Sequence, residues 1–372
     1  MKYCFLLESL AVKAGGPPRV AAAIANQLVE RGHQLTIASV PIDSEAVALS
    51  PAVAVEYVSK GAGVRSAFGA SRRIRELARQ ADVIVVSGIW GAIDGLALRL
   101  ADVESAKLYI RSCGMLEDYI LARSPWKKRL ARAGYVDRNL GRAASILANT
   151  AIEQKYIQEM YPNANVKVVP NGVVLPGVER LDRDSAGCQL GIEIPQGARL
   201  LLYLGRIDPK KGLDRLLPQF SRLIQKNPEW HLIVAGAYSD AVYRERIETL
   251  ARGSDANIHF LGEVSGARKN ACFQIADGFV LPSHSEGFPN AVVEALSWQV
   301  PAIVTPGCNF PEVAAENAGL QTTLKPEELY QALEDFCLRT DLEQAGKEAR
   351  RLVENRFTLE RVVDQYEELG VR

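Results

Sequence analysis

Two glutamates eight residues apart carry the most chemistry in this chain. They lie in the stretch His284-Ser-Glu-Gly-Phe-Pro-Asn-Ala-Val-Val-Glu294. The apolar run Ala276 to Leu281, closed by Pro282 and Ser283, reads as a buried parallel strand and its exit loop. Gly287 permits a sharp turn there, and Pro289 fits the first turn of a helix, where its missing N–H costs nothing. That helix is expected to run through Asn290, Ala291, Val292, Val293 and Leu296 to about Trp298. The free N–H groups of its first turn, from Phe288 to Ala291, and its positive dipole end make an anion site. With Glu286 and Glu294 beside it, such a site suits a ligand that is both phosphorylated and rich in hydroxyls, as a nucleotide-sugar is. The plain alternative is a strand–loop–helix unit with solvated glutamates.

A second pair has the opposite sign. The strand-like Leu200 to Leu204 is followed by Gly205-Arg206-Ile-Asp-Pro-Lys-Lys211-Gly212, with a helix expected from Leu213 to Lys226. Arg206 and Lys211 on a strand-to-helix loop suit a diphosphate, the guanidinium as a fork and the ammonium as a point charge. Salt bridges to surface acids are the alternative. Gly15 and Gly16, in the loop after the first strand, allow close backbone approach to a phosphate, although two glycines alone also make an ordinary tight turn. Asp182-Arg-Asp184 has the spacing of a metal-binding D-x-D but follows no strand, so a structural role is expected and no metal site.

These residues need a scaffold, and the pattern supplies one. Strand-like runs at Tyr3–Leu7, Leu35–Val40, Val83–Val86, Leu108–Ile110, Ile146–Ala148 and Val166–Val169 alternate with helical patterns. A second alternating series runs from Leu200 onward, so an α/β chain with doubly wound parallel sheets is expected. At 372 residues with 48% hydrophobic content, two or three domains can each bury a core. The six cysteines are scattered, without C-x-x-C or metal-ligand spacing, and read as reduced cytosolic thiols. The start is too short an apolar run for a signal peptide, and no stretch approaches a membrane span.

The net charge is zero but unevenly placed. Residues 1 to 175 hold 22 Lys and Arg against 15 Asp and Glu, and the remainder has the opposite excess. From Arg123 to Arg142 there are seven basic residues and one acid, with Trp126, Leu130 and Tyr135 interleaved at roughly helical spacing. A helix facing an anionic membrane or a phosphorylated acceptor, and an ordinary solvated amphipathic helix, both fit this segment.

The glutamate pair with Glu286-Gly-Phe-Pro289 resembles the signature of glycosyltransferase family 4, retaining enzymes of the GT-B fold. Gly205-Arg206 with Lys211-Gly212, the Gly15-Gly16 turn, Arg31-Gly-His33 and Pro170-Asn-Gly-Val173 match the same family along nearly the whole chain. The resemblance is to transferases of capsular and exopolysaccharide synthesis. It implies two Rossmann-like domains facing a cleft: an acceptor domain over 1–174, joined by a C-terminal helix over 357–372 that crosses back, and a donor domain over 175–356. It implies catalytic roles for Arg206, Lys211 and Glu286. Donor contacts would come from Gly15, Gly16, Arg206, Lys211, Val264 and Glu286 to Ala291, with Glu294 on the ribose. The loop Pro306 to Glu312 would close the donor site.

The implied reaction moves a hexosyl group from a nucleotide diphosphate sugar, with UDP the commonest nucleotide among relatives. The acceptor would be a growing surface polysaccharide or lipid-linked saccharide, and no cofactor or metal is expected. The protein would be cytoplasmic, with peripheral contact to the inner membrane face through Arg123–Arg142, and no nucleic-acid partner. Ser87 and Cys113 stand where such loops often carry histidine, so their roles do not follow from the family. A glycoside hydrolase using the two glutamates, a nucleotide-sugar epimerase and a non-catalytic binding subunit of the same fold are the rival readings.

Overall fold

The computed structural model describes residues 1–58, 64–91, 93, 106–122, 124–177, 181–254 and 256–371. Arg123 of the basic segment lies outside them. The chain divides into two compact units, Met1–Gly172 with Leu359–Arg372, and Val173–Thr358. The sequence-based boundaries at 174 and 357 fall within two residues of these crossings.

In the first unit, β1 (Lys2–Leu7), β2 (Gln34–Ser39), β3 (Ala54–Tyr57), β4 (Val83–Ser87), β5 (Lys107–Arg111), β6 (Ser145–Ala148) and β7 (Val166–Val168) form one sheet. Its order is β3-β2-β1-β4-β5-β6-β7 and every pairing is parallel. Helices α1 (Gly16–Glu30), α2 (Val64–Arg79), α3 (Pro125–Ala131), α4 (Asp137–Arg142) and α5 (Ala151–Met160) connect the strands. A strand buried on both faces sends alternate side chains to two cores. Cys4 and Leu6 enter one, and Tyr3, Phe5 and Leu7 the other.

In the second unit, β8 (Arg199–Leu204), β9 (Trp230–Ala235), β10 (Ile258–Gly262), β11 (Gly278–Leu281), β12 (Ala302–Val304) and β13 (Gly319–Gln321) give a parallel sheet of order β10-β9-β8-β11-β12-β13. Its helices are α6 (Arg183–Leu190), α7 (Leu213–Leu223), α8 (Ala241–Ala251), α9 (Gly266–Ile275), α10 (Asn290–Ser297), α11 (Pro326–Leu338) and α12 (Leu342–Arg356). Both sheets are doubly wound and Rossmann-like. Their order reverses between β1 and β4 and between β8 and β11, and ligands of such sheets bind outside the strand ends at the reversal.

The last helix, α13 (Leu359–Val371), belongs to the first unit. It buries Val362, Val363, Tyr366 and Leu369 in the core shared with α1. Arg31 at the end of α1 reaches Asp364 at 2.6 Å and Glu367 at 2.9 Å, and His33 reaches Glu367 at 2.7 Å.

Three local expectations change. Strands β3 and β13 were not foreseen: β3 is an exposed edge strand and β13 is three residues long, so neither shows a buried apolar run. Helix α7 ends at Leu223, and the chain turns before Lys226. The basic segment is not one regular helix, because a π turn over Arg132–Val136 interrupts it. Tyr135 packs on the core, while Trp126 and Leu130 are exposed.

Candidate active site

The loops leaving β8 and β11 are fastened together at the reversal of the second sheet. Asp208 accepts the Lys210 N–H at 2.9 Å and caps a single 3₁₀ turn, Pro209–Lys211. Gly212 then takes φ +69°, and a Cβ there would stand 2.0 Å from the Pro282 carbonyl oxygen, so only glycine fits. One step on, the His284 N–H donates to the Lys210 carbonyl at 2.8 Å.

This clamp brings Lys211 Nζ to 2.6 Å from Glu286 Oε1. The Ser283 hydroxyl donates to the same carboxylate oxygen. Asn309, from the loop after β12, donates its Nδ2–H to the Glu286 carbonyl at 2.6 Å, and Thr305 donates to the Ser283 carbonyl at 2.5 Å. Glu286 is 6% exposed. A buried charge of this kind persists because it is paired and hydrogen-bonded. Asn309 escaped sequence reasoning because it meets Glu286 from another loop, and Ser283, three residues before Glu286, reads in the sequence only as the end of the strand's exit.

The helix after Glu286 begins one residue later than expected. Pro289 is its N-cap at φ −85° and ψ 70°, and Asn290 is the first helical residue. Gly287 does not adopt a positive φ, so the turn does not use the conformation that favours glycine. Among the described residues, the N–H groups of Gly287, Phe288 and Ala291 have no acceptor, whereas Asn290 N–H bonds the Phe288 carbonyl at 3.0 Å. The Phe288 ring is buried beside Phe310 and Phe357, with centroids 6.1 and 6.0 Å away. The ring anchors the loop. Helix and loop together form a donor-rich end suited to an anion.

The remaining residues divide. Glu294 is partly exposed on α10, with Lys269 Nζ of α9 at 2.6 Å, a partner that the sequence did not announce. Val264, in the loop before α9, is half-buried against the core. Arg206 does not join Lys211: its side chain is 66% exposed, with Asp208 at 3.8 Å. Gly15 and Gly16 lie in the first unit, where Gly15 at φ +89° caps α1 and Gly16 is its first residue. Asp182 caps α6 by accepting the Ser185 N–H at 2.9 Å. Among the described residues, no three His, Cys, Asp or Glu side chains converge as metal ligands.

The first unit buries Glu153 and Arg111, which spacing arguments overlooked. Glu153 accepts from Ser112 Oγ, Gly114 N and Asn149 N, each at 2.7 Å. Burial raises its pKa, and these hydrogen bonds partly counter that. They hold the loop after β5 with Cys113 at φ +53°. Thr150 caps the Glu153 N–H at 3.0 Å, so a helix start at Thr150 was legible, although the Glu153 carboxylate takes the Asn149 N–H rather than that of Thr150. Arg111, at the end of β5, bonds Tyr366 Oη at 2.9 Å, Asn149 Oδ1 at 3.2 Å, and Asn171.

Two family models match the chain: residues 15–172 fit a glycosyl transferase 4-like domain, and residues 191–355 fit the glycosyl transferases group 1. The chain is a GT-B glycosyltransferase of family 4. A D-inositol 3-phosphate glycosyltransferase from Geodermatophilus obscurus is 28% identical over 94% of this glycosyltransferase and 83% of its own length. A lipopolysaccharide 1,2-N-acetylglucosaminetransferase of Salmonella typhimurium is 25% identical over 60% of the chain and 61% of its own. Among solved structures, Anabaena HepE in complex with UDP superposes with a TM-score of 0.80 at 18% identity, covering 99% of both chains. At that identity the superposition shows the fold alone.

Proposed function

We propose that this glycosyltransferase moves a hexosyl group from a nucleotide diphosphate sugar, in the first place a UDP-sugar, with retention at the anomeric carbon. The observation that carries the reading is Lys211 held 2.6 Å from buried Glu286, beside a helix end with three unpaired N–H groups. A cation and fixed N–H dipoles stabilise the charge that grows on a departing diphosphate, often the largest catalytic contribution. Glu286 is left to receive sugar hydroxyls and Glu294 the ribose diol. Arg206, exposed and loosely held, is free to swing onto the diphosphate when it binds.

Retention is taken from the resemblance to retaining family 4 enzymes, and the way the carboxylates are engaged bears only on its path. Glu286 is occupied by Lys211 and Ser283, and Glu294 by Lys269, so neither is poised as a nucleophile. A front-face path then remains, in which the departing phosphate oxygen takes the acceptor proton. We assign the donor to the second unit and the acceptor, a growing surface polysaccharide or lipid-linked saccharide, to the first. The lipopolysaccharide transferase among the relatives supports that acceptor class. The reaction needs no metal in this reading, since Lys211 and Arg206 supply the cations.

A thermal-shift screen of UDP-, GDP- and ADP-sugars tests the donor, because stabilisation grows with ligand concentration over Kd. UDP-sugars should raise the midpoint most. NMR of the product anomer tests the stereochemistry, and an inverted linkage would overturn the retaining path.

A further inference from the structure

Strands β11 and β12 stop pairing at Leu281 and Val304, yet Ser283, Ser285 and Glu286 beyond them are buried. Buried backbone carbonyls need donors, and past the ladder the partner strand no longer supplies them. The loop after β12 supplies them from its side chains. Cys308 donates its thiol to the Leu281 carbonyl at 3.2 Å, Thr305 its hydroxyl to the Ser283 carbonyl, and Asn309 its amide to the Glu286 carbonyl. Three carbonyls of the β11 exit are thus met by three side chains of one loop.

The backbone of that loop is shaped to bring them there. A 3₁₀ turn over Pro306–Cys308 ends on Asn309, whose N–H closes it on the Pro306 carbonyl at 3.0 Å. Gly307 lies against the exit: a Cβ there would stand 2.4 Å from the Ser283 carbonyl oxygen and 2.5 Å from that of His284. Phe310 then buries its ring 5.1 Å from Phe357. Asn309 itself takes φ +55° and ψ 34°, in the left-handed region. Glycine meets that conformation at least cost, and asparagine is one of the few other residues that visit it. Here asparagine adds what glycine lacks, an amide that is 8% exposed and bonded to the residue carrying the buried carboxylate of the site.

Glu286 is therefore held twice. Lys211 and Ser283 both meet its carboxylate at Oε1, and Asn309 holds its carbonyl. The side-chain contacts set the charge and one rotamer, whereas the carbonyl contact sets the peptide from which that rotamer projects. Catalytic groups need placement to a fraction of an ångström by such supporting contacts.

We propose that Asn309 is a positioning residue for transfer: its amide fixes the Glu286 peptide, and through it the carboxylate that receives the sugar hydroxyls. This role rests on the function proposed above for Glu286. It makes no demand on which sugar or acceptor is used. Asn309 acts on the sugar end of the donor, so the nucleotide end should not notice its loss.

Asn309→Gly is the deciding variant, because glycine keeps the left-handed turn and deletes only the amide. Turnover is read as nucleoside diphosphate released from the sugar nucleotide that the thermal-shift screen selects. The thermal midpoint should hold while kcat falls by about 10- to 10²-fold. Titration calorimetry should show unchanged affinity for the nucleoside diphosphate alone and weaker affinity for the sugar nucleotide. Asn309→Asp, which keeps size and turn but cannot donate, should lose turnover in the same way. In a Glu286→Gln background, Asn309→Gly should cost little more, since the amide acts only through that residue. An unchanged kcat in Asn309→Gly, or an equal weakening of both ligands, would overturn the proposal, and so would a full additional loss in the Glu286→Gln background. Glu286→Gln with normal turnover would sink the functional reading of Glu286 and this role with it. A large loss there beside a neutral Asn309→Gly would sink the role of Asn309 alone.

Discussion

Lys269 Nζ on α9 stands 2.6 Å from Glu294 Oε2 on α10, and both side chains are only about a quarter exposed, at 24% and 29%. The pair links the helix that follows the Val264 loop to the helix that carries the donor-rich end. With Glu294 on the ribose, the lysine would fix the carboxylate rotamer before the nucleotide arrives. Lys269→Met should then raise the KM for the sugar nucleotide about 10-fold with little change in kcat, the pattern of lost uniform binding. It should also narrow the preference for ribose over 2′-deoxyribose donors. An unchanged KM, or a lower one, would show that Lys269 merely occupies Glu294 until the donor displaces it.

Lys211 and Arg206 should behave differently. Lys211→Ala removes a charge from the proposed diphosphate site and leaves Glu286 buried without its counter-charge, so kcat should fall by about 10²-fold or more. The thermal midpoint should fall with it. Arg206→Ala should lower kcat comparably while moving stability by less than about 0.5 kcal/mol, because its side chain is mostly in water. Calorimetry beside steady-state kinetics separates the cases. A fully active Lys211→Ala enzyme would move the phosphate site elsewhere.

How much of this was visible in the sequence depends on whether a feature lives in spacing or in approach. Alternating apolar runs and helical patterns gave the two doubly wound sheets, because buried parallel strands are continuous apolar stretches. Glu286, Lys211 and the helix end after Phe288 were legible because each sits at a strand-to-helix turn. Lys269 and Asn309 were not, since they meet their glutamates through tertiary packing that has no sequence period, and Ser283, only three residues from Glu286, reads merely as the end of the strand's exit. The outward turn of Arg206 and the register change at Arg132–Val136 belong to the same class. A single inserted helical residue has no signature in the hydrophobic pattern.

Transfer should survive chelation. Asp182 is committed to capping α6 through Ser185, which leaves the D-x-D to local structure. Activity measured in EDTA should equal that in Mg²⁺ or Mn²⁺, and Asp184→Asn should be neutral. Activity abolished by EDTA and restored by Mn²⁺ would reverse the assignment.

The last prediction concerns pH and the second unit. His231 on β9 and His259 on β10 stack at 5.3 Å between ring centroids, with Nδ1 of the first 3.0 Å from Nε2 of the second. Burial lowers the pKa of both, and for His259 the neighbouring ring adds to it. A folded-state pKa below the unfolded one means that the unfolded chain binds protons first. The stabilising contribution is then fully present above the unfolded value, about 6.5, and is lost as pH falls through the folded values. The thermal midpoint should therefore drop on acidification below about pH 6.5, before most carboxylates titrate. Replacing both rings, as His231→Gln with His259→Gln, should flatten that limb while leaving the slope below about pH 4.5 unchanged. A midpoint equally steep in the double variant would place the acid sensitivity in other groups.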